Sequence, residues 1–222
     1  MELKEIISDR EALSDRAVEI DPRKEGKLVQ EIVLALKKTM RANKLQSLSA
    51  PQIGYDKRIF CLRFGDNDYR TFVNPVISKA NAMQLSRETC SSIPGKTFIR
   101  PRYGSVEVIY MTPMGKVESR SIMGRAATVF EHCVDHLDGL LLDDVGLEID
   151  ELFDNASDEE REEVINAYLE SLDIRHKQLQ NELQQDEETK DIINASKFMQ
   201  SVQRGEVQIE KSEMPNTNLD KE

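Results

Sequence analysis

The sequence predicts an α+β body followed by a helical extension. Three observations predict it: helical apolar spacing near residues 27–40 and again near 126–137, short β-like runs between them, and an abrupt change of charge after about residue 150. In the first helical stretch Leu28, Val29, Ile32, Val33, Leu36 and Met40 fall on one stripe behind the start signal Asp21-Pro22, so it reads as a core-facing helix. Ile59-Phe60-Cys61-Leu62, Phe72-Val73 ahead of Asn74-Pro75, and Val106-Glu107-Val108-Ile109-Tyr110 read as strands bounded by Gly, Pro or Asp-Asn punctuation. Thr112-Pro113-Met114-Gly115 reads as a hairpin turn into a further strand over 116–122. The second helical stretch covers 126–137, with Gly139 as its stop, and no internal repeat is present.

Residues 1–150 form the expected body and 151–222 the extension. Ser157-Asp158-Glu159-Glu160 has the form of a capping box, and Val164, Ile165, Tyr168, Leu172, Leu179 and Leu183 follow at helical spacing. A weaker stripe, Ile192, Ala195, Phe198, Met199 and Val202, predicts a second short helix, and 212–222 is polar enough to stay disordered. These helices, over 157–203, would pack on the body or on a second copy, or hold a protein partner.

The 222 residues carry a net charge of −11, with 19 acidic and 8 basic side chains in 151–222 and 22 of each sign before it. A neutral body with an acidic tail has no basic footprint for nucleic acid, and the tail repels an anionic lipid surface. No apolar run approaches the roughly 18 residues of a membrane span. The first residues, Met1-Glu2-Leu3-Lys4-Glu5, lack the pattern of a secretory signal. Three cysteines at wide spacing argue against a disulfide framework, so a reducing, cytoplasmic setting is expected, with thiols free or metal-bound.

His132 and His136 stand four apart in a predicted helix, which brings both imidazoles to one face, about 40° apart on the helical wheel. That spacing suits one shared cation or two surface histidines. Cys90, in Glu88-Thr89-Cys90-Ser91-Ser92-Ile93-Pro94, is either a small buried apolar residue or a third ligand. Two imidazoles and a thiolate would leave a fourth position open, as in catalytic metal centres.

Three ordered segments resemble the signature of peptide deformylases, GxGLAAPQxG, EGCLS and HExDHLxG. They are Leu48-Ser49-Ala50-Pro51-Gln52-Ile53-Gly54, then Glu88 to Ser92, then His132 to Gly139. The resemblance covers residues 1 to about 150 and includes Asn74-Pro75 and Arg100-Pro101-Arg102. It implies a compact fold of antiparallel or mixed strands around a central metal-binding helix. It implies a divalent metal, commonly Fe2+ and replaceable by Zn2+, Ni2+ or Co2+, held by Cys90, His132 and His136. Gln52 and the backbone N–H of Ser91 would bind the formyl oxygen, while Glu88 paired with Arg102 would orient the cysteine loop. Leu48, Ile53, Thr128 and Val129 would line the peptide site. The implied substrate is an N-formylmethionyl peptide or nascent chain, in a bacterium, a phage-infected cell or an organelle.

The sequence departs from the family pattern at the family's general base, whose position is Cys133 here. A carboxylate there is worth on the order of 10² to 10⁴ in rate, and a thiol with a pKa of about 8.5 is a poor substitute. With about 100° per residue, Glu131 lies on the opposite side of His132 from Cys133, and Asp135 coincides with the family's own aspartate. The motif-one glycines are Leu45 and Ser47, an alanine is Ser49, Thr89 and Ser91 replace the Gly and Leu of EGCLS, and Thr128 adds a hydroxyl to an apolar pocket. Three outcomes follow from these departures: a divergent deformylase with weak proton transfer, an inactive pseudo-deformylase acting as a binding, assembly or structural module, or a chain without metal in which His132, His136 and Cys90 are merely packed together.

Overall fold

Strand β2 (Ile59–Arg63) explains the architecture, because four consecutive apolar residues need a partner on both faces of the sheet. Phe60 and Leu62 pack with helix α3 (Arg125–Leu137) on one side, and Ile59 and Cys61 pack with helix α2 (Gly26–Ala42) on the other. In the computed structural model residues 3–185 are described. Ahead of α2 lies the short α1 (Arg10–Leu13), and between α2 and β2 lies β1 (Ser47–Ser49). The described sheet has six strands in the order β1, β2, β3 (Tyr69–Cys90), β4 (Ile93–Met111), β5 (Val117–Met123), every pairing antiparallel, with β6 (Leu147–Ile149) added to β4 at Thr97 to Ile99. Two short helices, α4 (Leu142–Val145) and α5 (Glu151–Asn155), flank β6.

The apolar stripe of α2 is buried as its spacing predicts, Val29, Ile32, Leu36 and Met40 completely. The helix begins four residues beyond Pro22, because Asp21 first accepts the N–H groups of Lys24 and Glu25 in a separate turn. The predicted hairpin closes as expected: the Gly115 N–H donates to Thr112 O at 2.8 Å, with Gly115 at φ +80°.

β3 and β4 are much longer than the apolar runs that announced them. β3 continues through Asn74-Pro75, where the register slips between Val73 and Val76. Proline is tolerated in a strand at such a bulge, and Asn74, at φ +46°, is held by side-chain bonds to Ile20 O at 2.8 Å and Ile20 N–H at 3.1 Å. Beyond it β3 is largely exposed and polar, and pairing with β4 rather than apolar alternation keeps it extended. That hairpin carries Glu88 and Cys90 to the site.

The described chain divides into two compact units, one ending at Ser157 and one beginning at Asp158. The second contains α6 (Asp158–Gln185), which spans the amphipathic stripe begun by Val164. The stripe at 192–202 and the polar end at 212–222 lie outside the described residues. Among the described residues no helix is long and apolar enough to cross a membrane.

Candidate metal centre

α3 is anchored by Phe130, whose ring lies 4.9 Å from Phe60 and 5.1 Å from Phe72, edge-on to both. Such pairs contribute about 0.5–1.5 kcal/mol each beyond burial, so the rotation of α3 is set from its core side. The helix ends in a left-handed cap: Leu140 N–H donates to Asp135 O at 2.9 Å and Gly139 N–H to His136 O at 3.4 Å, with Gly139 at φ +72°. A side chain at Gly139 would also lie 2.2 Å from Ser14 O. Both conditions require glycine just past the two histidines.

Cys90 arrives from elsewhere in the chain. It ends β3 opposite Ile93, at the two-residue loop Ser91-Ser92, so a hairpin tip presents its thiol to α3. Cys90 Sγ lies 3.2 Å from His136 Nε2 and accepts the Ser92 N–H at 3.4 Å. One donor atom each from Cys90, His132 and His136 fall within 4.8 Å of one another.

Gln52 closes the side of this cluster. It sits in a short turn (Pro51–Ile53) ended by Gly54 at φ +83°. Its Oε1 accepts the Ser49 N–H at 2.9 Å, which turns Nε2 toward Cys90 Sγ at 3.8 Å, Ser91 Oγ at 3.3 Å and Ser92 Oγ at 3.1 Å.

A charge network holds the histidine side. His132 Nδ1 meets Glu88 Oε2 at 2.9 Å, which leaves Nε2 for the cluster. Arg102, 2% exposed, grips Glu88 through Nε at 2.6 Å and Nη2 at 3.0 Å, and reaches Asp135 through Nη1 at 2.6 Å. Arg100 adds a second grip on Asp135 at 2.6 Å. Burial alone would raise the Glu88 carboxyl, but the bonds from His132 and Arg102 hold it down to about 2. Burial likewise works against a charged His132, yet Cys90 and Glu88 push it up to about 9. His136 is lowered well below its ordinary value by burial and by the neighbouring His132 and Arg102 charges, so it is a neutral imidazole.

These residues fit a divalent cation. Two nitrogens and a sulfur converge, a carboxylate orients one imidazole, and the other is uncharged. Among the described residues His136 Nδ1 is buried without a hydrogen-bond partner.

The cluster opens on a cleft of about 790 Å³ whose walls include Leu45, Ser47, Gln52, Glu88, Cys90, Ser91, Thr128, Val129 and His132. Leu48 and Ile53 stand elsewhere, buried against α2 in the core. Thr128 lines the cleft, but its hydroxyl is turned back on helix carbonyls, Arg125 O at 3.2 Å and Gly124 O at 3.4 Å. Cys133 is 1% exposed within the aromatic core cluster. Burial pushes its thiol up to about 12, against the weaker opposing effect of hydrogen bonds to Ser47 and Ser49. Glu131 points away from the cleft: it accepts the Tyr103 N–H at 2.9 Å, and burial raises it to about 7.

The family profile described as Polypeptide deformylase matches residues 4–148. The chain belongs to the peptide deformylase family. A peptide deformylase of Symbiobacterium thermophilum is 32% identical over 151 residues, covering 64% of this chain and 70% of that protein. That of Pelotomaculum thermopropionicum is 32% identical over 132 residues, covering 58% of this chain and 84% of its own. Among solved structures, the Thermotoga maritima peptide deformylase superposes with a TM-score of 0.60 at 26% identity, over 65% of this chain and 97% of that one. The actinonin-bound enzyme of Acinetobacter baumannii, at 24% identity and a TM-score of 0.60 over 65% of this chain and 98% of that one, shows the shared fold.

Within this deformylase framework the sequence shows Arg100 and Asp135 in family-like segments, but not that Asp135 bridges Arg100 and Arg102. Arg100, Arg102 and Asp135 are all visible as charged residues, but their pairing depends on which face of β4 meets α3, and no local periodicity encodes that.

Proposed function

We propose that this protein is a metal-dependent hydrolase of N-formylmethionyl peptides in which proton transfer is the impaired step. The observation that supports it is the convergence of Cys90, His132 and His136 within 4.8 Å, beside the Gln52 amide and on an open cleft. When bound, the cation supplies Lewis acidity to polarise the formyl oxygen and activate water; the nitrogen and sulfur donors accept iron(II), zinc, nickel or cobalt. Gln52 presents its amide hydrogens to a developing oxyanion, and the Ser91 N–H is the second donor. Glu88 and Arg102 orient the His132 ring and the cysteine hairpin. Thr128 and Val129 form the wall that receives the first side chain.

No good base replaces the family glutamate. Glu88, the one carboxylate among the cleft-lining residues, is held near 2, far below the neutral range where a general base works best. A second reading, peptide binding without turnover, is favoured by the burial of Cys133. Protein purified without air should carry one equivalent of divalent metal by elemental analysis and release formate slowly from formyl-Met-Ala-Ser. His136→Ala should lose both. Failure of the native protein to hold metal and to bind the formyl peptide would overturn the proposal.

A further inference from the structure

We infer that Arg125 is a specificity-determining residue, engaging a carboxylate on the peptide about two helical turns from the metal cluster. The inference rests on the reading that the cleft takes N-formyl peptides. Arg125, Thr128, Val129 and His132 all line the cleft and follow one another along one face of α3. With Thr128 Oγ1 bonded to the helix, its methyl group and Val129 make an apolar wall one turn from His132, suited to a thioether side chain. Arg125 lies one turn beyond.

The charges around the cleft single this arginine out. Arg87 also lines it but is paired with Asp154 at 2.7 and 2.8 Å. Glu88 is neutralised by Arg102 and His132. Among the described residues Arg125 has neither an ion pair nor a side-chain hydrogen bond, and it is exposed.

Spacing selects the position on the peptide. Seven residues at about 1.5 Å each put Arg125 about 10 Å from His132 along the helix. An extended peptide advances about 3.4 Å per residue with alternating side chains, so its first and third side chains share a face, the third about 7 Å beyond the first. With the formyl group at the cluster and the first side chain on Thr128 and Val129, the third residue reaches Arg125. The carboxylate is an acidic third side chain or the terminus of a tripeptide, either of which suits a guanidinium fork.

The test measures dissociation constants of the intact, metal-loaded protein, so turnover is not required. Formyl-Met-Ala-Glu-Ala-amide is compared with its Gln counterpart, and formyl-Met-Ala-Ser as free acid with its amide, on the native chain and on Arg125→Gln. The native protein should bind the Glu peptide about fivefold tighter than the Gln peptide, the scale of one exposed charge pair, and the ratio should fall to about one in Arg125→Gln. A matching ratio for free acid over amide would assign the terminus as an equivalent source, and its absence would assign the side chain alone. Binding of all four peptides without preference, or a preference that survives Arg125→Gln, overturns the inference while leaving the formyl-peptide reading intact. Binding of none overturns both.

Discussion

Replacing Cys133 by Glu should restore proton transfer, and the size of the gain follows from the structure. The native thiol, pushed up to about 12, is ionised to only about one part in 10⁵ at pH 7 and is buried behind Ser47 and Ser49. A carboxylate at this position projects from the same helix as both histidines with a longer arm. General acid–base catalysis contributes about 10² to 10⁴ in rate, or roughly 3–5 kcal/mol of barrier. Formate release from formyl-Met-Ala-Ser should therefore show kcat/KM rising by about 100-fold or more in Cys133→Glu, with metal content unchanged. Cys133→Gln has nearly the same size and hydrogen-bonding reach without the base, and it separates chemistry from packing. An equal gain in the Gln variant would refute the reasoning, as would native turnover already matching the Glu variant.

Glu88→Gln removes the anchor of His132 and one of two carboxylates on buried Arg102; metal affinity should fall about 10- to 100-fold by competition with a chromophoric chelator, and stability by about 3 kcal/mol in urea. The metal-free protein should lose stability as pH rises from 6.5 to 9. His132, raised in the folded state, contributes fully below 6.5 and loses that contribution as pH passes through about 9, so the urea midpoint should drop over this window. Bound metal, which needs a neutral imidazole, should flatten the decline and release a proton on titration. Gly139→Ala imposes both a left-handed backbone and a contact with Ser14 O, and should cost about 2 kcal/mol or more by chemical denaturation.

The helices at 26–42 and 125–137 were legible because apolar spacing at a period near 3.6 is a local property of each segment. The outer half of β3 was not, since the alternation over Lys79 to Glu88 is short, changes phase at Ala82-Met83 and faces solvent, and these residues are extended through partners on β4. The Gly139 stop could be read because its conformation is set within a few residues of the helix end. Thr128 could not: its hydroxyl was expected in the pocket, and it bonds the preceding turn instead.

The residue order supplied the ligand types, their i, i+4 spacing on a helix, the family motifs and the loss of the general base, all of which are properties of short segments. Folding determined how those segments meet. A hairpin loop brings Cys90 to within 3.2 Å of His136, Arg102 bridges Glu88 and Asp135, Cys133 is sealed in an aromatic core, and Arg125 faces the cleft without a partner among the described residues. Each of these depends on strand register and on which faces are buried, long-range outcomes of packing that no stretch of chain carries alone.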